Sequence, residues 1–185
     1  VSAIKNGMIL AWSSCEYGWG IIKVDLKGNK KWGSKHAATY MANDGKRLFA
    51  AGGHGFHRGP GVKVFDLRDC RPIKFGTVAE ILPEGGDDKS NHVTGLAYGA
   101  GRIYVAYAKR NMIGVYNAKS GAAAGTIDVP DPHRLAVAPD KSLVAISAGT
   151  IVRVKDGNVA TLAKDHLDQP TGVAVAKDGS IYVTN

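Results

Sequence analysis

The sequence has few cysteines and no long apolar segment. Only Cys15 and Cys70 occur among 185 residues, and no Cys-x-x-Cys or Cys-x-x-Cys-His motif is present. This absence excludes a cysteine-based zinc knuckle and covalently attached haem. No apolar run approaches the roughly 20 residues that a membrane-spanning helix needs. We expect the two cysteines to lie in different repeats and on opposite faces, too far apart to form a disulfide.

The N-terminus lacks the features of a complete precursor. Val1 stands where an initiator Met would be, and no charged segment followed by an apolar one begins the chain, so no signal peptide is visible. We expect the sequence to be a portion of a larger protein, with any export signal outside it. An extracytoplasmic location, periplasmic or secreted, fits this expectation better than a cytoplasmic one.

Basic charge is present but not clustered. The formal net charge of +8 favours anionic partners in general. However, the lysines and arginines are scattered over the chain without a run of five or more. We therefore expect a solvated basic surface rather than a nucleic-acid interface.

A two-hairpin pattern recurs along the chain, and no segment has the i, i+3, i+4 apolar spacing of a helix. The first hairpin has turns at positions 7, 45, 101, 141 and 179, with spacings of 38, 56, 40 and 38 residues. The second has Gly-Asn, Ser-Gly or Asp-Gly in its turn in three of four copies, and such residues supply the positive φ of tight turns. A period near 40 residues is typical of a four-stranded propeller blade.

The repeat predicts an all-β fold, a β-propeller of four-stranded antiparallel blades with about 4.5 blades present. A β-sandwich also has many short strands, but it does not predict one two-hairpin pattern returning four times. The predicted blades are approximately residues 1–35, 36–82, 92–130 and 132–167, and a fifth blade begins at about 170–185. Because an open arc would leave exposed sheet edges, we expect the remaining blades to belong to the same polypeptide, with another chain as the alternative.

The last repeat has the most specific sequence. Pro170–Val175, Asp178–Gly179 and Ile181–Asn185 together resemble the repeat of the NHL and YVTN families nearly position by position. Earlier copies match more loosely, the next best being Pro132–Asp140. This resemblance implies a propeller of six or seven blades. It implies no single activity, since such propellers serve as binding platforms, scaffolds and enzymes.

All six histidines are predicted to lie on one face of the propeller. His36, His92, His133 and His166 precede the first strands of successive blades, and His54 and His57 occupy a Gly-rich loop between the second and third strands of blade 2. These loops share one face of a propeller. Neutral imidazole is a common ligand of divalent transition metals and an acid–base group near neutral pH. The candidate metal ligands are His36, His54, His92 and His133, and solvated or structural histidines are the alternative.

Two further loops on the same face carry candidate binding residues. Trp12, Tyr17 and Trp19 are predicted to lie in the loop between the second and third strands of blade 1, and exposed aromatic rings bind sugars and peptides. Their packing between blades is the alternative. The acidic and amide side chains of Pro83–His92 offer oxygen ligands of the kind that calcium prefers, or form an ordinary solvated turn.

These features leave three hypotheses about function. The first is a binding or scaffold module that uses its loop-rich face for a glycan, peptide or protein, with Trp12, Trp19, Arg58 and Arg134 as ligand-binding residues. The second is a metal-dependent lyase or hydrolase acting on an anionic substrate. There Arg58 and Arg134 would hold the substrate carboxylate and Tyr17 or His57 would act as acid–base catalyst. The third is a purely structural segment.

Overall fold

The computed structural model describes residues 1–14, 18–52, 61–83 and 92–185. The chain divides into two compact units. The first unit comprises Val1–Lys89 with Lys119–Gly121, and the second comprises Ser90–Ala118 with Ala122–Asn185. Antiparallel β-strands make up most of the described part of each unit.

The first unit contains two four-stranded sheets, in each of which the strands pair in chain order. One sheet consists of β1 (Ser2–Ile4), β2 (Gly7–Ser14), β3 (Gly18–Asp25) and β4 (Lys30–Ser34). The other consists of β5 (Tyr40–Asn43), β6 (Arg47–Ala51), β7 (Val62–Asp66) and β8 (Glu80–Ile81).

The second unit contains two four-stranded sheets and one two-stranded sheet, again paired in chain order. The first sheet consists of β9 (Gly95–Gly99), β10 (Arg102–Tyr107), β11 (Met112–Asn117) and β12 (Ala123–Asp128). The second consists of β13 (Pro132–Val137), β14 (Leu143–Ser147), β15 (Thr150–Lys155) and β16 (Asn158–Ala163). β17 (Gly172–Val175) and β18 (Ile181–Thr184) form a hairpin.

Each four-stranded sheet has two kinds of end. Its hairpin end carries the turns from first to second and from third to fourth strand, and its loop end carries the loop from second to third strand and the connection to the next sheet. A short 3-10 turn, Ala108–Arg110, lies at the loop end between β10 and β11. Within the described ranges, no helix is long and apolar enough to cross a membrane.

Most of the turns between the first and second strands contain a residue in the left-handed conformation. Gly45, Gly101, Lys141 and Gly179, at four of the five recurring turn positions, have φ between 68° and 89°, a region that glycine enters without steric cost. Gly7 differs, because β2 begins there and a Cβ at this position would overlap the Val24 carbonyl oxygen. The first turn therefore uses glycine for close strand approach.

The core of the first unit joins its two sheets. Its fully buried members include Ile9 and Ile21 from the first sheet and Leu48 from the second. Cys70 is a free, buried thiol in the same cluster. Burial raises the pKa of this thiol, which keeps it protonated near neutral pH.

The second unit has two hydrophobic clusters that lie on opposite faces of β14. β14 is buried on both faces: Leu143 and Ala145 pack with residues of the β9–β12 sheet, whereas Val144 and Ile146 pack against the β17–β18 hairpin. Successive side chains of a strand point to opposite faces. The middle sheet therefore contributes to two hydrophobic clusters, as a blade packed between neighbours does.

Two sequence predictions about local structure were wrong. Trp12 and Trp19 lie on strands rather than in a loop, because β2 and β3 remain paired as far as Ser14 and Gly18. His133 is the second residue of β13, paired with Ile146, instead of preceding the strand. The strand begins at Pro132, which pairs with Ser147, and a bulge follows His133, where Arg134 has a φ of 39°.

Candidate functional site

A small pocket lies at the loop end of the β5–β8 sheet. It has a volume of about 160 Å³. A buried apolar floor of Ala50 and Phe65 is combined with three groups capable of hydrogen bonding, the imidazole of His36, the ammonium of Lys63 and the carboxylate of Glu80. Its lining residues are His36, Ala37, Ala50, Gly52, Gly61, Lys63, Phe65 and Glu80. We refer to it as the His36 pocket.

The two opposite charges of the pocket come from neighbouring strands. Lys63 of β7 stands directly across from Glu80 of β8, and the ammonium nitrogen lies 4.0 Å from a carboxylate oxygen. The Lys63 side chain is 59% exposed and that of Glu80 32%, so water weakens the pair. Both groups therefore remain available to a polar ligand.

His36 is held against the pocket floor. Its ring centroid lies 4.6 Å from that of Phe65, with the ring planes inclined at 42°. Burial, together with the positive charge of Lys63, lowers the pKa of His36. The imidazole is therefore neutral near pH 7, with one ring nitrogen able to donate a hydrogen bond and the other able to accept one.

Two glycines of the pocket stand on either side of the segment 53–60. Gly52 has a φ of 72°, and a Cβ there would lie 3.1 Å from the side chain of Thr39. At Gly61 a Cβ would overlap the carboxylate of Glu80. Gly52 therefore suits its left-handed backbone conformation, whereas a side chain at position 61 would displace the carboxylate of Glu80 from its present place.

In the second unit, His133 makes one polar contact of note at a loop end. Its Nε2 lies 3.0 Å from a carboxylate oxygen of Asp131, and the amide of Asp131 donates to the side chain of Asn111. Gly95 allows this bulge to approach closely, because a Cβ there would lie 2.8 Å from the Arg134 amide nitrogen. The same amide donates to the carbonyl oxygen of Thr94 at 3.1 Å.

The predicted metal ligands are divided between the two units and the part of the chain outside the described residues. His36 belongs to the first unit, and His92 and His133 belong to the second. Over residues 1–14, 18–52, 61–83 and 92–185, no three His, Cys, Asp or Glu side chains are placed to hold a metal ion. His54, the fourth predicted ligand, lies outside the described residues, so the complete set stays a prediction.

Several other candidate residues also fall outside the described part of the chain. They are Tyr17, His57, Arg58 and most of the acidic segment Pro83–His92. For Trp12 and Trp19 the structure gives only their strand positions, so their roles as ligand-binding residues stay predictions.

Lys63 and Glu80 were missed by the sequence analysis. The only signal was the opposite charge of two residues on successive strands. Their register could not be read from the sequence, because a hairpin closed by Phe75 and Val78 interrupts the run between β7 and β8.

Comparison with known proteins identifies the fold. No protein-family model and no curated protein matches the chain. Among solved structures, the mitotic checkpoint complex has a chain that matches with a TM-score of 0.70 at 14% identity, covering 99% of this chain and 59% of that one. The WD40 β-propeller domain of Doa1 matches with a TM-score of 0.68 at 12% identity, covering 98% of this chain and 58% of that one.

An enzyme is also similar in structure. Glutaminyl cyclase from Myxococcus xanthus matches with a TM-score of 0.62 at 13% identity, covering 99% of this chain and 83% of that chain. At such identities the likeness concerns the fold alone, and it does not support a metal-dependent lyase or hydrolase. The present chain spans less than two thirds of the length of the first two structures. Its four-stranded antiparallel sheets and these structural neighbours confirm that the chain has the fold of part of a β-propeller.

Proposed function

We propose that this chain is part of a binding module that receives a ligand or protein partner at the loop ends of its blades, and that the His36 pocket anchors a polar group of that partner. A scaffold or binding role in general agrees with the propeller fold. The His36 pocket is the observation that carries the specific proposal. It combines a neutral imidazole, a cation and a carboxylate over an apolar floor.

The size and chemistry of the pocket limit the group it accepts. About 160 Å³ is smaller than the several hundred Å³ of a typical drug-sized site, so the pocket suits a single side chain or one sugar ring. A group with both a donor and an acceptor, such as a carboxamide or a pair of hydroxyls, would contact Lys63 and Glu80 at once. The ligand-contacting residues predicted from the sequence stay separate candidates of the same proposal; they are Trp12, Trp19, His54, His57, Arg58 and Arg134.

Screening on peptide and glycan arrays tests this proposal. The fluorescently labelled protein should bind a subset of array members, and Glu80→Gln should weaken that binding about tenfold by removing one charge-assisted hydrogen-bond acceptor. Lys63→Ala should do the same through loss of the donor. Lys74→Ala is the matched control, since Lys74 is exposed and does not line the pocket.

Two outcomes would contradict the proposal. One is an array without any bound member, and the other is binding that both pocket variants leave unchanged. Elemental analysis of the same preparation, before and after chelation, separates a metal-dependent site from a metal-independent one. Binding that survives removal of all metal supports the module as proposed.

We also propose that the repeats are of the NHL/YVTN type and that further blades of the same polypeptide pack beside β17 and β18. The hairpin of β17 and β18 is formed by the repeat that most resembles these families, with Gly172 paired to Thr184 and Val175 to Ile181. A longer version of the polypeptide should unfold at a higher temperature than residues 1–185, and an equal or lower midpoint would contradict this.

A further inference from the structure

A cleft with an excess of positive charge lies in the first unit at the hairpin end of the β5–β8 sheet, the end opposite the His36 pocket. Its volume is about 460 Å³. Lys23 of β3 lines one side, the turn between β5 and β6 lines another, and the residues that end β7 complete it. The lining residues are Lys23, Gly45, Lys46, Arg47, Asp66, Leu67 and Arg68. We call it the Lys23 cleft.

The backbone of Leu67 fixes the positions of the cleft residues. Its carbonyl oxygen accepts hydrogen bonds from Lys23 Nζ at 3.3 Å and from Trp32 Nε1 at 3.3 Å. Its amide donates to the carbonyl of Lys46 at 2.9 Å. The lysine ammonium has three N–H donors, and this contact uses one of them. Lys23 is therefore positioned in advance with donors remaining for a ligand.

The arginines of the cleft are neutralised, but its lysines are not. Arg68 makes an ion pair with Asp66 at 2.6 Å, and Arg47 makes one with Asp44 at 2.7 Å. Within the described ranges, neither Lys23 nor Lys46 lies within 4.0 Å of a carboxylate. Two lysines without a carboxylate partner among the described residues thus line one cleft, which favours an anionic ligand.

We propose that the Lys23 cleft binds an acidic peptide segment of a partner protein, with carboxylates of the peptide contacting Lys23 and Lys46. The volume of the cleft lies in the range of sites that hold ligands of many atoms, which favours a peptide over a single inorganic anion. Four of the lining residues, Lys23, Lys46, Arg47 and Arg68, have long aliphatic stems, and the buried Leu67 lies among them. Such stems provide apolar contact beneath charged heads.

Fluorescence anisotropy with a labelled glutamate-rich peptide tests this proposal. The full chain should bind the peptide, and the affinity should fall as salt is raised from low to physiological concentration. Lys46→Glu should weaken binding about tenfold or more, since it replaces attraction by repulsion. Lys23→Gln should also weaken it, because this change removes the positive charge and keeps a polar side chain.

Two control variants make the same change of charge elsewhere. The controls are Lys35→Glu and Lys141→Glu. Lys35 lies in the connection from β4 to β5, and Lys141 lies in the turn between β13 and β14 of the second unit. Both residues are exposed, and we expect each variant to alter the affinity by about twofold or less. Thermal unfolding midpoints close to that of the parent chain establish that each variant is folded.

Three results would overturn the proposal. The first is absence of peptide binding by the parent chain, and the second is an equal loss of affinity in Lys46→Glu and in the controls, which would indicate non-specific attraction. The third is displacement of the peptide by inorganic phosphate or by a single-stranded oligonucleotide to an extent that depends only on the charge of the competitor. This test is independent of the His36 pocket, whose variants should bind the acidic peptide with unchanged affinity.

Discussion

At the scale of single residues, the properties of His36 follow from its surroundings. Burial is the larger cause of its lowered pKa, and the charge of Lys63 is the second. A histidine that folding makes less basic binds fewer protons in the native than in the unfolded state. Its contribution to stability is therefore present above the pKa of the unfolded state and falls as the pH drops below it.

Titration by NMR tests this account. The chemical shift of a His36 ring proton should change at a lower pH than that of an exposed histidine in a model peptide. Lys63→Gln should raise the midpoint of this titration, but not as far as the model-peptide value. Removing Lys63 eliminates only the smaller of the two causes. Lys74→Gln is the control and should leave the midpoint unchanged. A midpoint unaffected by Lys63→Gln would show that the ammonium does not act on this imidazole.

The β-hairpins were predictable from the sequence to a far greater extent than the candidate site. Turn residues such as Gly45, Gly101 and Gly179 are visible in the sequence, and so is the alternation of apolar side chains between them. His36 could be singled out because histidine is rare and its place in the repeat was clear. Lys63 and Glu80 could not, because their contact depends on a two-residue strand that follows an interruption.

At the scale of elements, the small residues of β9 determine how closely two sheets pack. A Cβ at Gly95 would lie 2.8 Å from the Arg134 amide nitrogen, and one at Gly99 would lie 2.5 Å from a methyl group of Val137. Ala97, between them on the same face, is buried in the cluster shared with β13 and β14. Glycine or alanine at every second position lets β9 lie directly against β13.

Enlarging these positions should therefore destabilise the second unit. We expect Gly95→Ala and Gly99→Val each to lower the free energy of unfolding by about 1–3 kcal/mol, the usual cost of overpacking. Urea denaturation, monitored by far-ultraviolet circular dichroism, measures the change in the free energy of unfolding. Ala123→Val on the exposed strand β12 is the control and should change stability little. If all three variants were as stable as the parent chain, β9 and β13 could move apart at little cost in free energy, and the prediction would be wrong.

At the scale of the whole molecule, the sheets of the second unit form a series in which each contacts its neighbours. Stability in such repeat arrays is approximately a sum of local terms and nearest-neighbour interfaces. β14 pairs with strands on both sides and is buried on both faces. The β17–β18 hairpin is only partly buried and contacts the series through Val144, Ile146 and Ile151.

Native-state hydrogen exchange should reveal this difference. The amides of β14 should exchange more slowly than those of β17 and β18 by at least about tenfold, because the hairpin opens locally at lower cost. Ile146→Ala removes apolar contact from the interface with the hairpin and should speed exchange in β17 and β18 more than in β10 and β11. Lys177→Ala in the exposed turn of the hairpin is the control. Uniform acceleration across all four strands would indicate that the second unit unfolds as one cooperative block, and the nearest-neighbour description would then fail.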